Sequence, residues 1–150
     1  MAKRYATSRT ARVFISHSTK DGDFVERHIV SQLEKNGIKT WYSKVGIQTA
    51  SQWERSIMRG LESCDRFLIV MSPRSASSEW VKDELHWAID NKPQKIVPVL
   101  IDDCSLRDFP IRMARIQYAD FREPSQEARA HLMELFGQTP NNEAVNRSGR

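Results

Sequence analysis

Trp80 and Glu84 stand four residues apart in the segment Ser77-Ser78-Glu79-Trp80-Val81-Lys82-Asp83-Glu84-Leu85. On a helix that spacing stacks the indole and the carboxylate one turn apart on a single face. The segment predicts such a helix, because Ser77 or Ser78 is a good N-cap and Glu79 and Asp83 place negative charge toward the positive end of its dipole. Val81, Leu85, Ala88 and Ile89 then form the core stripe, and Lys82, Asp83, His86 and Asp90 the wet one. Trp80, Glu84 and Trp87 fall between them. A carboxylate flanked by indoles at the border of core and solvent suits the wall of a cleft. The same pattern also suits two indoles covering the core edge while Glu84 points to water. Glu54, beside Trp53 on an amphipathic stretch, and Glu62, near Asp65 at a helix end, read as solvated surface acids.

Positioning such a helix requires a scaffold, and the rest of the chain supplies one. Strand-like runs at 12–16, 38–42, 66–71, 95–101 and 115–120 alternate with helical periodicities at 23–35, 52–62, the Trp80–Glu84 segment and 125–136. Asn36-Gly37 is a helix stop. The third and fourth strand runs are almost wholly apolar, as expected when helices cover both faces of a parallel sheet. Pro98 places the fourth near an edge, and residues 102–114 read as irregular. The alternation predicts a flavodoxin-like open parallel five-stranded sheet with helices on both faces, its first strand central. In that architecture the site lies at the carboxyl ends of the strands. The loops there are Ser16 to Gly22, Ser43 to Ser51 and Ser72 to Ser77. They offer Ser16, His17, Ser43 and Ser72 as substrate-binding candidates beside Trp80, and Glu84, one to two turns into its helix, is close enough for its side chain to face the same cleft.

A chain of 150 residues fits one domain with a proper core. The expected division is a basic flexible N-terminus at 1–11, a folded domain at 12–136 and a flexible tail at 137–150. No apolar run is long enough to span a bilayer, and the basic first dozen residues lack the apolar stretch of a secretory signal. Cys64 and Cys104 lie far apart with no metal-ligand spacing, which predicts reduced thiols, a cytoplasmic location and no metal. The net charge of +4 is carried by the ends: residues 1–12 hold four basic groups and no acid, 137–150 add +1, and 13–136 are left at −1. No basic stripe stands out in the folded part, so neither nucleic acid nor membrane is expected as a partner.

Taken together the motifs resemble a TIR (Toll/interleukin receptor) domain of the bacterial kind. Val13-Phe14-Ile15-Ser16-His17-Ser18, with Asp21 after it, is similar to the family's opening strand and loop. Gly37 to Tyr42 resembles its second strand. Ile57, Leu61 to Asp65 and Phe67 to Pro73 resemble its next helix and strand. Ser77 to Leu85 resembles its tryptophan-x-x-x-glutamate helix, and Ile96 to Leu100 and Tyr118 to Arg122 its close. The resemblance covers roughly residues 11–136. It implies NAD+ as substrate with no further cofactor, cleavage at the nicotinamide–ribose bond by Glu84, and a hydrolysed or cyclised product. It also implies activation by self-association through the 43–51 loop, in a defence or cell-death role. Two places depart from the family: Ser43 replaces the acid that usually opens that loop, and its glycine, Gly46, comes early.

Other readings of the same architecture fit less well. A phosphorelay receiver needs an acidic pair after the first strand and an aspartate after the third, where this chain has Ser16-His17 and Met71-Ser72. A flavodoxin would use the hydroxyls of residues 16–22 for a flavin phosphate, and a deoxyribosyltransferase would cleave a related bond. The alternative of a different class is a non-catalytic interaction scaffold.

Overall fold

Successive residues of a strand point to opposite faces, and here both faces are apolar. Along β1 (Arg12–Ser16), Val13 and Ile15 enter one core and Phe14 the other; along β3 (Arg66–Met71), Leu68 and Val70 part from Phe67, Ile69 and Met71 in the same way. The computed structural model, which describes residues 11–42 and 49–137, joins them with β2 (Lys39–Tyr42), β4 (Ile96–Leu100) and β5 (Ala119–Asp120). The sheet is parallel throughout, in the order β2-β1-β3-β4-β5. This is the flavodoxin-like order, with β3 at the centre and β1 as its interior neighbour rather than itself central. The expected flexible ends and most of the 43–51 loop lie outside the described residues.

The first helical run, residues 22–35 (α1), includes widened π-type turns at Val25–Val30 and ends at Lys35. Gly37 stops it with φ +79°: its N–H donates to the Glu34 carbonyl and that of Ile38 to the Leu33 carbonyl, each at 3.0 Å. Ile29 and Leu33 of α1 share one core with Leu132 and Met133 of the last helix, Gln126–Leu135. Ile57 and Leu61 of α2 (Ala50–Ser63) share the other with Val81 and Leu85 of α4 (Glu79–Asn91). At Gly60 an added Cβ would stand 3.0 Å from Trp41 and 3.1 Å from Phe14, so α2 lies on the sheet as closely as only glycine permits.

Three boundaries differ from expectation. Thr49 caps α2 in a reciprocal box with Gln52, so the helix begins before Gln52 and takes in the end of the expected loop. A short helix, α3 (Pro73–Ala76), fills the expected loop after β3, with Ser72 and Ser75 capping each other. β5 is only two residues long, Arg115 closing a 3-10 turn (Ile111–Arg115) and residues 116–118 staying outside the sheet. β4 lies near the edge, as Pro98 suggests: its neighbour β5 is the edge strand and pairs with it only from Val99, so the N–H that Pro98 lacks falls before that ladder begins. Among the described residues no helix is long and apolar enough to cross a membrane.

Candidate active site

Glu84 lies on α4 and points at the carboxyl end of β1. Ser16 continues the side of β1 that carries Phe14 (the α2 and α4 side), so its hydroxyl meets that helix. Ser16 Oγ donates to Glu84 Oε1 at 2.6 Å, a short charge-assisted bond between residues 68 apart in the chain. Glu84 is only 6% exposed. Burial raises its carboxyl from the ordinary 4.5 to about 7; the Ser16 hydrogen bond opposes this and the charge of Asp83 adds to it. A buried acid poised near neutrality beside the carboxyl ends of parallel strands is a candidate functional group. Among the described residues only its Oε1 has a hydrogen-bond partner.

The stripe expected to hold Trp80, Glu84 and Trp87 together is divided by the tertiary structure. Glu84 turns inward, Trp80 stays 47% exposed and Trp87 is half-buried. Trp80 instead leans on Trp53 of α2, ring centres 6.1 Å apart and planes at 48°. The result is an aromatic wall one turn from the carboxylate, built from two helices. Glu54 and Glu62 are exposed, as read from the sequence.

His17 follows Ser16 and is half-buried, its ring edge-on to Tyr42 at 5.9 Å. Burial lowers its basicity, so the ring is held toward its neutral form. Its Nδ1 is buried without a hydrogen-bond partner among the described residues. Ser43 lies outside the described residues.

Ser72 requires a correction. It was expected to meet substrate, but it is fully buried and its hydroxyl is already engaged. Oγ donates to Asp21 Oδ2 at 2.6 Å and accepts from the Ser75 N–H at 3.1 Å. Asp21, 5% exposed, also accepts from Arg74 Nε at 2.5 Å, and Arg74 reaches on to Asp102 at 3.0 Å. This network ties together the segments after β1, β3 and β4; the first of these strands ends in Ser16, the partner of Glu84. The sequence reading missed Arg74 and Asp102 altogether and used Asp21 only as a motif residue. The position of Asp21 after the first strand was the one available signal; nothing local pairs it with residues 51 and 53 positions away.

Comparison with known proteins identifies the family. Residues 13–135 match the TIR domain family. The chain belongs to that family. A NAD+ hydrolase of Paracoccus denitrificans is 34% identical over 74 residues, covering 49% of this chain and 24% of that protein. A 2′ cyclic ADP-D-ribose synthase of Bacteroides thetaiotaomicron is 27% identical over 73 residues, covering 49% and 25%. The chain thus spans about a quarter of the length of the curated relatives it matches. The TIR domain of a Toll-related receptor from Hydra magnipapillata superposes with a TM-score of 0.66 at 23% identity, over 83% of this chain and 94% of that one. The TIR domains of the activated Roq1 resistosome superpose at 0.56 and 17% identity, over 85% and 97%. These two likenesses speak to the fold.

Proposed function

We propose that this TIR domain cleaves NAD+ at the nicotinamide–ribose bond, with Glu84 as the catalytic residue. The observation that carries the reading is the buried Glu84 carboxylate, fixed by Ser16 one turn from Trp80 at the carboxyl end of the sheet. The relatives named as a NAD+ hydrolase and a cyclic ADP-D-ribose synthase support the substrate class.

The chemistry asks little of the protein beyond one fixed charge. Nicotinamide in NAD+ is a cationic leaving group that departs neutral, so no general acid is required. Its bond to the ribose breaks with both electrons going to the ring nitrogen, and positive charge builds on the sugar as in glycoside cleavage. An ionised Glu84 beside the ribose hydroxyls orients the sugar and stabilises that charge. Preorganised groups of this kind are commonly worth ~3–4 kcal/mol. Ser16 holds the carboxylate in place, while Trp80, backed by Trp53, offers a face on which a flat ring can lie. Water, or a hydroxyl of the substrate itself, then takes the anomeric carbon and loses a proton. Self-association through the 43–51 loop, whose Val45, Gly46, Ile47 and Ala50 suit burial between copies, and a role in defence signalling belong to the same proposal.

The test is incubation of concentrated or bead-crowded protein with NAD+, followed by chromatography. Nicotinamide release is the expected result, and the second product distinguishes hydrolysis from cyclisation. A well-folded chain that releases none under any crowded condition is a scaffold, the reading that places its function in TIR–TIR contact alone.

A further inference from the structure

The two ends of the parallel sheet carry opposite charge. Each of the first three strands begins with a cation: Arg12, Lys39 and Arg66. The parallel register sets Arg12 beside Lys39, and Arg66 beside Val13, the next residue along β1. Lys95 stands immediately ahead of β4. Two adjoining grooves of about 250 and 450 Å³, which share Cys64, cross this amino end. Their charged lining is Arg12, Lys39, Arg66, Lys92 and Lys95 against a single acid, Asp65. Lys92 is pinned by donating to the backbone carbonyls of Glu62 and Cys64. Arg12, Lys39 and Lys95 are exposed and make no ion pair among the described residues. Like charges in register on neighbouring strands are unfavourable, so this end carries uncompensated positive charge at some cost to the isolated domain.

The carboxyl end mirrors it. A groove of about 770 Å³ beyond β4 and β5 is lined by Asp102, Asp103, Asp120, Glu123 and Glu127, with Arg122 as its one permanent cation. Arg122 is already held by Asp103 and Asp120, at 2.7 and 2.6 Å. The basic grooves thus hold five cations and one acid, the acidic groove five acids and one cation. The faces are separated by the length of a strand, roughly 17 Å for five residues.

We propose that the basic amino-end surface of one copy docks on the acidic carboxyl-end groove of a second copy. Complementary patches on opposite ends of one molecule make a heterologous, head-to-tail contact, which closes into a ring or continues as a helical filament. This goes beyond the reading of Glu84 and does not depend on it. It also places a contact on the amino end, away from the 43–51 loop, which follows β2 at the carboxyl end. The acidic groove includes Asp102, which is already paired with Arg74 at 3.0 Å.

Sedimentation velocity on the full chain without NAD+ tests the proposal. The wild-type chain is expected to associate at low ionic strength and to separate as salt screens the contact. Arg12→Glu with Lys39→Glu and Lys95→Glu should weaken association at least about tenfold, and so should Asp103→Lys with Glu123→Lys and Glu127→Lys. Mixing the two triple variants should restore association, since each then presents the charge the other has lost; recovery also shows that both are folded. Association of the first variant equal to wild type, or no recovery on mixing with both thermal melts intact, overturns the proposal. So does a result in which the first variant keeps self-association but loses binding to duplex DNA or phosphatidylserine vesicles, which would assign the surface to a polyanion. Because no substrate is present, a failure of NAD+ cleavage leaves this outcome unaffected.

Discussion

At the residue scale, burial makes the charge of Glu84 costly to the fold. Its folded-state value of about 7 lies above the ordinary 4.5, so the native chain holds this proton more tightly than the unfolded one. The stability that goes with the bound proton is fully present below 4.5 and is lost as the pH rises through about 7. Glu84→Gln, which is neutral at every pH, should therefore melt higher than wild type at pH 8, by up to roughly 3 kcal/mol, and lose that advantage toward pH 4. The same variant should lower nicotinamide release by about two orders of magnitude or more. Equal activity in a folded Gln variant would refute the catalytic role. In the wild-type chain, kcat/KM should fall as the pH drops below about 7 and Glu84 takes up its proton.

Ser16 gives a finer test. Its hydrogen bond is the one influence that holds the Glu84 carboxyl down. Ser16→Ala should move the acid limb of the pH–rate profile to higher pH, a readout that a merely structural role would leave in place. Both residues were visible in the sequence as candidates. Their contact was not, because the geometry depends on how α4 crosses the end of β1.

At the element scale, the close seat of α2 and the network behind the cleft carry the predictions. Gly60→Val would drive two methyl groups toward Trp41 and Phe14, which are themselves stacked at 4.7 Å. A loss of about 1–3 kcal/mol in chemical denaturation is expected from overpacking. Asp21→Ala strips Ser72 and Arg74 of their shared acceptor and should cost about 2–3 kcal/mol, with Arg74 half-exposed and so partly resolvated. If the network positions the cleft, its activity loss should exceed that of the equally destabilised Gly60→Val. The helices and strands themselves were largely legible, because buried parallel strands and capped amphipathic helices announce their periods locally. Thr49, α3 and the shortened β5 were misjudged where a cap or a 3-10 turn decides the boundary within a few residues.

At the scale of the whole molecule, specific activity should rise with protein concentration if copies complete one another's clefts. Activity strictly proportional to enzyme down to nanomolar levels, measured as nicotinamide released, would count against it. Raised salt should lower activity in step with association if the head-to-tail contact is the one that matters.

The sequence by itself determined the order of elements, the parallel doubly covered sheet, the family and the candidate pair Trp80 and Glu84. These follow from local periods and short motifs, which a linear reading can count. Only the tertiary structure decided that Glu84 is buried and Trp80 exposed, although one helical stripe carries both. Only it turned Ser72 from a ligand contact into a buried anchor of Asp21. The near-neutral charge of residues 13–136 likewise concealed its separation into a basic and an acidic end. The reason is the same each time: burial, hydrogen bonding and field depend on distances between residues far apart in the chain, and parallel strands gather their starts at one end and their finishes at the other.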